Sequence, residues 1–380
     1  CGVDYSSEVL KIVEGALKSD KTKVASYTKL LIEKLQENNE IRLANSFLKI
    51  LSNSSIVMKQ MATGELTQIP IDQESRLPIA DIIYSNQAID VQIVLNSSAY
   101  EQVDKFLVYY NNVDKLMKSG IDIPNTILLY GPPGCGKSKL ASYICSKIKL
   151  PLVTARLDGM ISSYLGNTSK NIRAIFEYAQ TVPCILFLDE FDAIAKVRDD
   201  NNELGELKRV VNSLLQNIDQ LKNGSIIIAA TNHEHLLDPA VWRRFGFKIP
   251  IDVPDDASRK SLVSLFLPEN NLSEKEKQIL SLSFKGLSGS DIEEICNKSR
   301  IDSILTDRQI SLSLVFKNLF EFRNVGRLQN SKDTIEKSIY REQARYLRAI
   351  DEKVFSYAQI AVILGVSKSY VSSLFKSMEV

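Results

Sequence analysis

The segment GPPGCGKS, residues 131–138, joins an apolar run (TILLY) to a helix-prone stretch (KLASYICSKI). Its order fits GxxxxGK[ST]. Glycines let successive backbone N–H groups curl around a phosphate, and the following helix adds the positive end of its dipole. Lys137 is placed to reach terminal phosphates and Ser138 to ligate magnesium. The candidate nucleotide-binding residues are therefore Gly131, Pro132, Pro133, Gly134, Cys135, Gly136, Lys137, Ser138 and Lys139, together with Asp189. Cys135 reads as a small filler, or as a thiol that bound nucleotide would shield. A second apolar run, ILFLDE at 185–190, ends on two carboxylates. Asp189 suits the metal beside Ser138, and Glu190 suits a water that it can orient and deprotonate for in-line attack. This predicts hydrolysis rather than binding alone. Asn232, just after SIIIAAT, suits holding that water. His233 and His235 form an HxH pair with no third ligand in register, so they are expected as ordinary loop residues.

These groups need a scaffold that collects them. Five short apolar runs, TILLY, PLVTARL, CILFLD, SIIIAAT and FKIPIDV, are separated by stretches long enough for helices. Such alternation predicts a parallel sheet with helices on both faces. The loaded residues sit just past the carboxyl ends of three of these runs, where open α/β sheets bind ligands. Residues 8–51 carry helical apolar spacing (Val9, Ile12, Val13, Leu17; Leu30, Leu31, Leu35; Leu43, Phe47, Leu48, Leu51) and predict a helical N-terminal unit. The looser stretch after it, broken by Gly64, Pro70 and Pro78, reads as a linker with short extended pieces. The expected division is a helical unit over 1–60, a linker over 61–99, an α/β part over 100–254, a helical lid over 255–336 and a C-terminal part over 337–380.

Composition narrows the classes. With 380 residues, 44% apolar and 24% charged, the chain has the makings of two or three folded domains and is not a disordered one. Lys and Arg number 47 against 46 Asp and Glu, so no chain-wide field exists to hold a polyanion, and any such site must be local. No apolar run approaches the roughly 18 residues of a membrane helix. Five widely spaced cysteines without a CxxC pair argue against a disulfide framework or a zinc site, and a reducing, cytoplasmic setting is expected.

The motifs GPPGCGKS, ILFLDE, AATN, LDPAVWRRF and GLSGSDI stand in the order and near the spacing of the AAA+ ATPases. From about residue 100 to 300 the chain resembles the AAA clade of ring-forming remodellers. The resemblance implies a P-loop NTPase core with a helical lid, ATP and Mg2+ as cofactors, and a homo-oligomeric ring, a hexamer, with nucleotide between subunits. It also implies that Arg243 or Arg244 sends an arginine finger to a neighbour's γ-phosphate. The two are adjacent here, whereas the family spaces them further apart. Ser290 stands where many relatives carry a sensor arginine and the clade carries a small residue. MISSYLGNTSKNIRAIF at 160–176 resembles the pore-loop segment, with Tyr164, Leu165 and Gly166 as its aromatic, aliphatic and glycine positions. An aromatic there can grip extended polypeptide by apolar contact, so protein unfolding or threading is the implied activity. The combination of DEFDAIAKVRDDNNELGELKRVVNSLLQNID with SSYLGNTSKNIRAIF also resembles a bacterial subset of AAA ATPases with short helical N-terminal regions, some encoded beside subtilisin-like proteases, which makes such a protease a candidate partner.

SYAQIAVILGVSKSYVSSLFKSM at 356–378 reads as a helix-turn-helix, with Ala361 on the first helix, Gly365 at the turn, and Val371 and Leu374 packing the second. Ser367, Lys368, Ser369 and Tyr370 begin a candidate recognition helix for DNA. Residues 338–380 hold six Lys and Arg against four Asp and Glu, a weak charge for one copy that a ring would multiply. The alternative is a docking or structural helical unit. The sequence therefore predicts a Mg-ATP-dependent protein remodeller, with a DNA-dependent ATPase or nucleoprotein remodeller as the alternative.

Overall fold

The computed structural model describes residues 5–18, 20–52, 70–72, 76, 78–84, 91–121, 124–157, 165–192, 204–221, 225–268, 272–325 and 335–376. They fall into two compact units. One comprises residues 1–93, 97–132 and 136–251, the other 94–96, 133–135 and 252–380.

The first unit opens with α1 (Ser6–Leu17), α2 (Lys21–Glu37) and α3 (Ile41–Ser52). Asp20 caps α2 by accepting from the Lys23 N–H at 2.9 Å. Leu31, Ile32 and Leu35 close a small core against Ala44 and Leu51. The spacing finds α1 but not its buried face. Glu8 and Gly15 are buried, whereas Val9, Val13 and Leu17 are exposed by 45%, 49% and 82%. The crossing with α2 decides this, because a Cβ at Gly15 would stand 3.2 Å from the Val24 backbone nitrogen. Close backbone approach at the glycine turns the apolar stripe outward.

The sheet follows. β1 (Asp81–Ile83), β2 (Thr126–Tyr130), β3 (Leu152–Arg156), β4 (Ile185–Asp189), β5 (Ile226–Thr231) and β6 (Phe247–Pro250) lie in the order β1-β3-β4-β5-β2-β6. All neighbours are parallel except β1, which pairs antiparallel with β3 through Ile82 and Val153. All five apolar runs are strands, and Leu128, Leu186 and Ile227 are fully buried, as expected of a parallel sheet covered on both faces. The helices of this unit are α4 (Ser97–Asn111), α5 (Val113–Lys118), α6 (Lys137–Ile148), α7 (Leu165–Thr181), α8 (Leu204–Gln220) and the single turn α9 (Pro239–Trp242). Ile172, Ile175 and Phe176 of α7 and Val211, Leu214 and Ile218 of α8 share the sheet's core.

The second unit is helical: α10 (Asp256–Phe266), α11 (Glu274–Ser283), α12 (Gly289–Leu305), α13 (Leu312–Phe322), α14 (Ile335–Ile350), α15 (Tyr357–Leu364) and α16 (Lys368–Lys376). The GLSGSD punctuation forms a capping box, with Ser288 and Asp291 exchanging side-chain to backbone bonds at the start of α12. One apolar core runs from Leu262 through Phe284 and Phe316 to Phe355, Ile360, Val371 and Leu374. α15 ends at Gly365, whose φ of 68° makes a left-handed cap, and after a three-residue break α16 runs at 111° to it. No single helix among the described residues is long and apolar enough to cross a membrane.

Candidate functional site

The site grows from the carboxyl ends of three adjacent strands. β4, β5 and β2 are neighbours, and Tyr130 and Thr231, the last residues of β2 and β5, stand opposite each other in register. Leu188 pairs with Ala229, so Asp189 ends β4 on the same edge. Everything chemically loaded in these runs is therefore delivered to one rim.

Past Tyr130 the chain turns through the glycine-rich loop into α6. Gly131 has φ 138°, and a Cβ there would stand 2.3 Å from the Ile251 carbonyl oxygen, so only glycine fits. Gly136, the residue before α6, has φ 98°, and a Cβ there would project into open space. That space lies at the amino end of a twelve-residue helix, as a phosphate cradle requires. Lys137 is 8% exposed, and its Nζ donates to the Gly131 and Pro132 carbonyl oxygens at 2.7 and 2.8 Å. These bonds hold the ammonium inside the curve of the loop. In the second unit the Ser290 N–H donates to the Gly134 carbonyl at 2.9 Å. Cys135 is half-buried, whereas burial pushes the thiols of Cys145, Cys184 and Cys296 up to about 11, 12 and 12.

The acidic end of β4 faces this loop. The Ser138 hydroxyl donates to Asp189 Oδ2 at 3.2 Å, and Asp189 Oδ1 accepts from the Glu190 N–H at 2.9 Å. A hydroxyl and a carboxylate brought together from elements 51 residues apart form an all-oxygen donor pair of the kind magnesium takes. The residues thus fit a triphosphate with its metal. Glu190 is exposed and has φ 53°, the left-handed region that a glutamate rarely enters. Phe191 behind it is fully buried, donates its N–H to the Ala230 carbonyl at 2.8 Å and packs edge-on to Phe245 at 5.7 Å.

A residue that sequence reasoning passed over ties the rim together. Asp192, 5% exposed, accepts from the Thr231 hydroxyl at 3.3 Å and the Asn232 N–H at 3.4 Å through Oδ1. Its Oδ2 stands 4.0 Å from His233 Nε2. It therefore braces the turn that carries Asn232 against the one that carries Glu190. The signal was the second aspartate of DEFD, two residues past Glu190. His233 and His235 face each other edge to face at 5.7 Å.

The two arginines differ. Arg244 is half-buried and tied down: Nε donates to both oxygens of Asp219 at 3.1 Å, and Nη1 donates to the Ala240 carbonyl at 2.7 Å. Arg243 is exposed, and its Nε donates to the Pro239 carbonyl at 3.2 Å. Tyr164 lies outside the described residues, and Leu165 and Gly166 open α7. Ser367 caps α16 by accepting from the Tyr370 N–H at 3.2 Å; Lys368 and Ser369 are exposed, and Tyr370 is half-buried against Tyr340.

Residues 127–253 match the family described as "ATPase family associated with various cellular activities (AAA)". Three curated proteins are similar to this chain. The uncharacterized AAA family ATPase y4kL of Sinorhizobium fredii is 37% identical over 57% of this chain and 65% of its own length. The ATP-dependent zinc metalloprotease FtsH of Neorickettsia risticii is 30% identical over 80% of this chain and 52% of its own. The putative 26S proteasome regulatory subunit homolog MJ1494 of Methanocaldococcus jannaschii is 35% identical over 49% and 51%. The chain thus spans between half and two thirds of the length of these relatives. Among solved structures, the FIGL-1 AAA domain superposes with a TM-score of 0.54 at 20% identity, over 72% of this chain and 92% of that one, a likeness of fold.

Proposed function

Because the chain carries an AAA ATPase family domain over residues 127–253, we propose that it binds ATP with magnesium, hydrolyses it within a ring of its own copies, and uses the cycle to remodel or thread polypeptide. The observation that carries the hydrolytic part is the meeting of Ser138 with Asp189 at the mouth of the glycine-rich loop, with Glu190 next in the chain.

Ser138 and Asp189 would hold magnesium, which when bound polarises the phosphate oxygens. Backbone N–H groups of residues 131–136 and the amino end of α6 cradle the phosphates, and the Lys137 ammonium offsets charge that spreads over them as the terminal bond breaks. Glu190 accepts the proton of the attacking water. Asn232 orients that water, and Asp192 acts through Asn232 as a positioning residue. Arg243 is assigned as the finger into a neighbouring copy, because Arg244 is committed to Asp219 and the Ala240 carbonyl.

The polypeptide part rests on Tyr164, Leu165 and Gly166 and on the printed names of two relatives, a metalloprotease described as ATP-dependent and a proteasome regulatory subunit homolog. The division into a helical unit over 1–60, a linker over 61–99, an α/β part over 100–254, a helical lid over 255–336 and a C-terminal part over 337–380 is likewise a proposal. The test is ATP turnover with and without an unfolded polypeptide. Stimulation that disappears in Tyr164→Ala supports threading, and stimulation that survives it refutes the pore-loop assignment. The alternative, an ATPase driven by duplex DNA, predicts stimulation by duplex and none by polypeptide.

A further inference from the structure

The outward face of α16 has a composition that neither ATP hydrolysis nor polypeptide grip uses. Its exposed residues are Lys368, Ser369, Ser373 and Lys376, with Ser372 half-buried between them. At 100° per residue these five positions fall within one face, and the opposite side buries Val371 and Leu374 in the core of the second unit. The core side thus fixes the helix in the fold, and the outward side carries hydroxyls with an ammonium at each end; Ser373 donates to the Tyr370 carbonyl at 2.7 Å and Ser369 pairs with the Ser367 hydroxyl at 2.9 Å, local bonds that a stronger acceptor can replace.

The charged side chains of α15, the turn and α16 are of one sign. Residues 353–378 contain three lysines, Lys353, Lys368 and Lys376, and no aspartate or glutamate. The neighbouring arginine on α14, Arg348, lies over the rings of Tyr357 and Phe375 at 5.1 and 6.0 Å and pairs with Glu352 at 3.3 Å, so that acid is matched. The two helices meet at 111° across a three-residue turn with a left-handed glycine, within the 90–120° of helix-turn-helix units that present their second helix to a groove.

We propose that α16 is a duplex-DNA-binding helix that enters the major groove with Lys368, Ser369, Ser372, Ser373 and Lys376 towards the nucleic acid. Three arguments select this occupant. A polyanion complements a helix that carries two lysines and no acid. The exposed residues of α16 are hydroxyls and ammoniums, whereas the centre of a protein–protein interface is enriched in aromatic side chains; Tyr370 and Phe375 flank the face half-buried against Tyr340 and Tyr357. Hydroxyl and ammonium groups are the donors that phosphates and base edges accept, and the B-form major groove admits a helix where the A-form groove does not. One copy carries few charges, so binding by a single chain is weak and salt-sensitive, and copies assembled in a ring gain by avidity.

The test uses the full chain without nucleotide and a labelled random-sequence DNA duplex of about 30 base pairs, by fluorescence anisotropy across about 50 to 200 mM salt. Binding is expected to weaken with the logarithm of salt with a slope of about −2 to −3 per bound copy, from two or three phosphate contacts. The double variant Lys368→Glu, Lys376→Glu should bind at least about tenfold more weakly at the low-salt end, with a slope shallower by about two. Its circular dichroism and its DNA-free ATP turnover should be unchanged, because both lysines are exposed and distant in sequence from the nucleotide loop. An RNA duplex of the same sequence should bind at least about tenfold more weakly than the DNA. The proposal is overturned if the wild-type chain shows no salt-dependent duplex binding, if the double variant binds as wild type does, or if the RNA duplex binds equally well. ATP turnover is read separately, so these outcomes leave the ATPase reading standing.

Discussion

Glu190 occupies the left-handed backbone region, at a cost of about 1–3 kcal/mol for a residue with a side chain. The conformation persists because its own N–H is held by Asp189 and the following Phe191 is locked in the core. Replacing it tests whether strain was accepted for chemistry. Glu190→Gln should keep ATP affinity while turnover falls about 10²- to 10⁴-fold, the usual worth of a general base. Glu190→Gly should lose turnover to the same degree yet raise thermal stability, by up to about 1 kcal/mol, since glycine adopts this φ freely. A calorimetric scan beside the turnover assay separates the two effects. Asp192→Ala leaves the Thr231 hydroxyl, 1% exposed as a residue, without its acceptor, and should cost about 1–3 kcal/mol in denaturant unfolding. If Asp192 positions Asn232, kcat should fall further than KM changes; an unaltered kcat would leave it a structural brace only.

At the scale of elements, the ionic cluster on α1 and α2 makes a pH prediction. Lys18 holds the Glu14 carboxyl well below its usual range, at about 2, helped by Lys23 and Lys11. A carboxyl depressed from 4.5 to about 2 contributes stability that is fully present above pH 4.5 and is lost as pH falls towards 2. Glu14 is more than a third exposed, so the contribution is modest, of the order of an exposed ion pair at about 0.2–1 kcal/mol. Glu14→Gln should therefore lower stability by about 0.2–1 kcal/mol near neutrality and flatten the acid limb of stability against pH, the two proteins converging as pH falls towards 2. The same elements show what could be read beforehand. Five strands and the loaded residues after them were legible, because doubly covered parallel strands are unbroken apolar runs. The three-residue β1 has no pattern to read, and the buried face of α1 was set by the Gly15 crossing rather than by its apolar stripe. The tie between Arg244 and Asp219 spans 25 residues and two elements, which no local spacing encodes.

At the scale of the whole molecule, the proposed completion of the nucleotide site by a neighbouring copy would make activity depend on assembly. Turnover per chain should rise with protein concentration and then level, and Arg243→Ala should lower the plateau by up to about 10³- to 10⁵-fold while ATP binding survives. Arg244→Ala should instead act through stability, by freeing Asp219 and the Ala240 carbonyl. The most direct measurement of the central claim is the binding and single-turnover cleavage of γ-labelled ATP, with magnesium, by the wild-type chain, Lys137→Ala and Glu190→Gln. The account predicts binding and cleavage by the first, loss of binding in the second, and binding with phosphate release slowed at least about a hundredfold in the third. Phosphate release by Glu190→Gln at the wild-type rate, or ATP affinity undiminished in Lys137→Ala, would contradict it.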